Sequence, residues 1–124
     1  MTWKLDARIP LVTVADATAL VAVLAEGRPA AVLAEWPAPA MPADVVAMED
    51  FPAAGAAHAA ACACCGGRSP AATALDRLFQ ARVRGSCGWF ERVVALAGSE
   101  AARSQLAAAL RDDAVTAARF RAAD

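Results

Sequence analysis

The residues best suited to chemistry are three cysteines set close together, Cys62, Cys64 and Cys65, with His58 four positions upstream of the first. Thiolates one and two positions apart can present two or three soft sulfurs to a single ion, and zinc or copper(I) accepts such ligands readily. Three sulfurs leave a tetrahedral zinc one ligand short, so His58, Glu35, water or a cysteine from another copy would complete the shell. If the segment is helical, His58 and Cys62 share a face, because residues four apart do so. Two other readings stand beside this one. The thiols can serve as small buried hydrophobes, or Cys64 and Cys65 can act in redox chemistry, although the two-residue spacing of thiol exchangers is absent. Cys87, set among Gly85, Gly88 and Trp89, reads as an ordinary loop or core cysteine. A single histidine and no evident pairing of acid and base give little support to a metal-dependent hydrolase.

The chain around this cluster must fold to position it. Its 124 residues suit one domain, 1–124,. With 59% hydrophobic and 20% charged residues it has the composition of a folded chain, since disordered segments combine low hydrophobicity with high net charge,. The net charge of -1, with acidic and basic side chains mixed along the chain, lacks the concentrated basic footprint that nucleic-acid binding needs,. Asp16, Glu26 and Arg28 interrupt the most apolar early stretch before it reaches the length of a membrane span,. The N-terminal residues lack the pattern of a secretory signal, and clustered cysteines suit a reducing compartment, so a cytoplasmic location is expected, with no membrane partner.

Ile9 to Ala15 is rich in β-branched residues and reads as a strand,. Asp16 or Thr18 can then cap a helix carrying Leu20, Val21 and Leu24 and ending at Gly27. Ala30 to Ala34 is almost continuously apolar, as a strand covered on both faces would be. Four prolines between Trp36 and Pro52 predict a largely irregular stretch, with a short strand at Val45 to Met48,. Ala53 to Ala63 is either a short helix or a closely packed loop. Ser69 as N-cap and Pro70 at the first helical position open a helix with Leu75, Leu78, Phe79 and Val83 at helical spacing, closed by Gly85. Phe90 to Leu96 predicts a third buried strand. Ser99 caps a helix with Leu106 and Leu110, and Asp112 or Asp113 a last helix with Val115 and Phe120. Strand, helix and strand joined closely imply right-handed parallel crossovers. The expected fold is therefore α/β, an open, mainly parallel sheet flanked by helices on both faces. Arg82, Arg84 and Arg92 are expected as solvated or helix-end charges.

At the cysteines the chain resembles the CobW family of P-loop GTPases, which are cobalt and zinc metallochaperone-like proteins. The family pattern is glycine, then Cys-x-Cys-Cys, two residues and often arginine, leading into a leucine-bearing helix. Ala61 replaces the glycine here, while Cys62, Cys64, Cys65 and Arg68 fit and Leu75 and Leu78 follow. Ile9 to Val14 resembles the first family strand. Ala31 to Trp36 resembles the strand ending in Asn-Glu-Phe-Gly, with Glu35 on the acidic residue and Ala34, Trp36 and Pro37 departing from it. Asp44 falls near a recurrent family aspartate, and Phe90 to Val94 resembles the strand before Glu-Thr-Thr-Gly. The likeness runs over nearly all of this chain and over the N-terminal half of a family GTPase domain.

The nucleotide elements depart from the pattern. A phosphate loop needs small residues that aim backbone N–H groups at phosphate, a lysine for the terminal phosphates and a hydroxyl for magnesium. Between Val14 and Leu20 there is only Ala15-Asp16-Ala17-Thr18-Ala19, and Asp16 places negative charge where triphosphate would lie. Glu-Thr-Thr-Gly is replaced by Ala95-Leu96-Ala97-Gly98, and no guanine-reading segment lies within residues 1–124. The resemblance thus implies a pseudo-GTPase without GTP and without enzymatic activity. It further implies metal binding, of zinc, cobalt or copper, through Cys62, Cys64, Cys65 and Glu35, with His58 as a further candidate. The expected role is a chaperone, delivery or regulatory subunit. The alternative is a structural or accessory subunit that binds no metal. A protein partner or a homo-oligomer is expected, and the accessory-subunit alternative would use Trp3, Trp36 or Trp89 as contact surface if these are not core or rim aromatics.

Overall fold

The computed structural model describes residues 6–42, 44–53 and 68–123. Strand β1 (Ile9–Val14) leads through Ala15 and Asp16 into helix α1 (Ala17–Leu24), followed by β2 (Ala30–Glu35) and β3 (Val45–Phe51). Helix α2 (Pro70–Arg84), strand β4 (Arg92–Leu96), helices α3 (Glu100–Asp112) and α4 (Ala114–Arg119), and the short strand β5 (Phe120–Ala122) complete the described chain. Each helix starts where a short polar side chain can satisfy a free N–H. Asp16, Ser69, Ser99 and Asp113 accept from Ala19, Ala72, Ala102 and Thr116 respectively,. Pro70 fills the first turn of α2, and Gly85 ends that helix in the left-handed conformation at φ 73°,.

All strand pairings are parallel, in the order β3-β2-β4-β1-β5. The chain moves outward from β1 to β2 and β3, then returns to place β4 between β1 and β2 before reaching β5 on the far side. Because crossovers keep one hand, that reversal puts α1 on one face and α2 and α3 on the other. Alternation along the strands serves both faces. Leu11, Leu33, Val93 and Ala95 join Leu75, Leu78 and Leu106 in one core, while Val14, Val32, Val94 and Leu96 meet Leu20 and Leu24 in the other. Full burial of Leu75 or Leu78 stabilises the fold by about 1.5–3 kcal/mol each,.

Two expected elements differ. The β3 strand runs to Phe51 rather than stopping at Met48, since Phe51 is fully buried and sits in register with Glu35. Phe120 belongs to β5, not to the last helix; it pairs with Ile9, and its ring meets Phe79 edge-on at a centroid distance of 6.2 Å. Val21, Val83 and Val115, expected on core faces, are exposed. Among the described residues no helix is long and apolar enough to cross a membrane.

Candidate functional site

Strand β1 is followed by a helix on one face and its neighbour β4 by a helix on the other, so their carboxyl ends diverge and open a crevice. Open parallel sheets bind ligands at such switch points. A cleft of about 280 Å³ lies there, lined by Glu35 at the end of β2 and by residues that follow β1 (Asp16), β2 (Trp36, Pro37) and β4 (Gly98). Its base is drawn tight by Ala97, whose N–H donates to Val14 O at 2.9 Å. A Cβ on Gly98 would approach Ala15 O to 3.2 Å, so glycine there permits the close approach of the two strand ends,.

Both helix N-termini at the crevice hold a carboxylate of the chain itself. Asp16 Oδ1 accepts from Ala19 N–H at 2.8 Å at the start of α1. Glu35 reaches from β2 to α3, where Oε1 accepts from Ser99 N–H at 3.1 Å and Oε2 from Ser99 Oγ at 2.7 Å. Ser99 Oγ in turn accepts from Ala102 N–H at 3.1 Å. The positive ends of both helix dipoles are thereby matched by internal anions. With only Ala15 and Asp16 between β1 and α1, no loop is present that could wrap a phosphate,.

Of the expected metal ligands, Glu35 stands in this crevice, half-buried and fixed by Ser99. Cys62, Cys64, Cys65 and His58 lie outside the described residues, as does Trp3. Among the described residues no group of three or more histidine, cysteine or acidic side chains could hold a metal ion. The two ends of the cysteine-bearing segment are defined. It leaves the same carboxyl end of the sheet as Glu35, since Phe51 is the register partner of Glu35 and its carbonyl accepts from Trp36 N–H at 2.8 Å. It returns at Arg68, whose guanidinium forks onto Asp113 at 2.9 and 3.2 Å. Burial by itself would raise the Asp113 carboxyl, but the hydrogen bonds from Arg68 and Thr116 outweigh it and hold the group below its ordinary value,.

Gln105 of α3 connects both ends, with Oε1 accepting from Ala71 N–H at 2.6 Å and Nε2 donating to Pro52 O at 3.5 Å. Sequence reading missed it, because a lone glutamine on an alanine-rich helix carries no local signal. Cys87 is half-buried and packs against the larger core. Trp36 and Trp89 are 63% and 60% exposed, and Arg82 stacks over the Trp89 ring at 3.6 Å. Comparison with protein-family models, curated proteins and solved structures yields no significant match.

Proposed function

We propose that this chain is a metal-binding domain without enzymatic activity, in which thiolates of Cys62, Cys64 and Cys65 hold zinc or a related ion near Glu35. The supporting observation is that the cysteine-bearing segment starts from the strand end paired with Glu35. The Glu35 carboxylate is oriented by Ser99 and keeps further lone pairs, as hydrogen-bonded metal carboxylates do,. Such an ion would add a charge that ties segment and crevice together, and its thiolate ligands would make retention depend on pH, since protons compete for sulfur. Carboxylates at both helix N-termini and the two-residue joint after β1 favour a metal role over a nucleotide role. On this reading the chain is a pseudo-GTPase relative of the CobW proteins that works as a chaperone, delivery or regulatory subunit in the cytoplasm.

The test is metal content per chain by elemental mass spectrometry, after purification under reducing conditions without added metal or an affinity tag. About one zinc, copper or cobalt per chain is expected, lost in Cys64→Ser, with metal affinity lowered about 10-fold or more in Glu35→Gln. A folded protein that carries no metal and takes up no added zinc would sink the reading. The exposed Trp36 and Trp89 would then support the second one, an accessory subunit that docks on a partner through these rings,.

A further inference from the structure

A second and larger cleft, of about 740 Å³, lies along the β5 edge of the sheet, between β1, β5 and α3. Strand β5 covers β1 only from Ile9 to Leu11, so Thr13 is left exposed at the cleft floor. One wall is the face of α3 on which Arg103, Ala107 and Arg111 recur four apart, beside Leu106 and Leu110,. Arg8 and Arg121 enter from the opposite side.

Four guanidinium groups thus line the cleft against one carboxylate, Asp6. Asp6 is already committed, because it accepts from Arg8 Nε and Nη2 at 3.0 and 2.8 Å, and these hydrogen bonds lower its pKa to about 2. Arg103 and Arg111 contact Glu100 and Asp112, which do not line the cleft. Arg121 is different. Its Nε is buried, lies 3.7 Å from Asp6 Oδ2, and has no hydrogen-bond partner among the described residues. A buried N–H of a charged group without an acceptor is costly, whereas the Arg121 side chain as a whole is 37% exposed, so its outer N–H groups can meet an incoming anion,. Half-buried Leu110 and exposed Ala107 give the same cleft an apolar lining over the buried Leu106 and Phe120. Its size falls in the range of small-molecule sites, which pair an apolar lining with a few placed polar groups.

We propose that this cleft binds a small amphiphilic carboxylate, its acid group on Arg121 and Arg103 and its hydrocarbon body against Ala107 and Leu110. The assignment uses no residue of the metal reading and stands or falls separately from it. Octanoate titrated into isotopically labelled protein, followed by amide chemical shifts, provides the test, with octyltrimethylammonium as the cationic counterpart. Saturable shifts confined to the surroundings of Thr13, Leu106 and Arg121 are expected, with a dissociation constant of about 1 mM or tighter. Arg121→Gln and Arg103→Gln, each checked for an unaltered spectrum without ligand, should each weaken binding about ten-fold, and the cationic counterpart should leave these amides unmoved. Absence of saturation, shifts elsewhere, an equal response to the cation, or undiminished binding by both variants would overturn the assignment.

Discussion

Arg92 stands at the head of β4 in an otherwise aliphatic strand, with only 4% of its surface exposed. Its guanidinium donates to Val23 O at 2.9 Å, Leu24 O at 3.4 Å and Arg28 O at 3.0 Å, closing the carboxyl end of α1. The positive charge meets the negative end of the helix dipole, and Glu26 adds an ion pair at 3.9 Å from an exposed position,. Arg92→Leu removes these donors and is expected to cost about 2–4 kcal/mol in urea unfolding. Arg92→Lys should recover only part of it, because a single ammonium cannot span the same carbonyls. The expectation of a helix-end charge holds for Arg92, whereas that of a solvated one does not. Its acceptors come from residues more than sixty positions away, and a strand's own sequence does not reveal which helix end will lie beside it. Glu35 was legible as a site candidate through the resemblance at its strand, but its bond to Ser99 depends on the sheet order that brings β2 beside β4.

The helices were the most legible elements, because their boundaries are set by local chemistry. Asp16, Ser69 with Pro70, Gly85, Ser99 and Asp113 all act at the ends their residue types suggest. Gly85 allows a clean measurement. A Cβ there would meet nothing within 4 Å, so Gly85→Ala changes no packing and reports only the cost of the left-handed backbone, expected at about 1–2 kcal/mol as a lowered unfolding midpoint,. Strand β5 was illegible for the converse reason. Three residues of a helix-compatible sequence become a strand only because the edge of β1 is available to pair with them. The arginine cleft was not legible, because Arg103 and Arg111 lie on α3 while Arg8 and Arg121 arrive from opposite ends of the chain.

At the scale of the whole molecule, the Arg68–Asp113 pair ties the return of the cysteine-bearing segment to the start of α4. The Asp113 carboxyl is lowered in the folded protein, so its contribution is present above the unfolded value of about 3.9 and is lost as pH falls below it,. Thermal melts between about pH 7 and about pH 3 should show Asp113→Asn losing about 1–3 kcal/mol at neutral pH and a smaller deficit in acid. An equal deficit at both ends of the range would assign the loss to packing rather than charge. The parallel α/β architecture and the division of apolar residues between two faces were legible from strand patterning, while the strand order was not, because successive apolar runs do not state which neighbours they choose.

That order also dictates when the protein can exist. During synthesis β1 emerges first, yet its partners in the sheet are β4 and β5, and β4 is also what joins it to β2 and β3. Until residues 92–96 have cleared the ribosome, β1 has no partner among the described strands that precede them, and β2 and β3 form a separate pair. Strands β1, β2 and β3 must therefore wait, with the edges of β1 and β2 open, for β4, which joins them in one sheet,. A nascent chain stalled before Arg92 leaves the edges of β1 and β2 open, and one released just after Leu96 has every strand of the continuous four-stranded part, β3-β2-β4-β1, in hand.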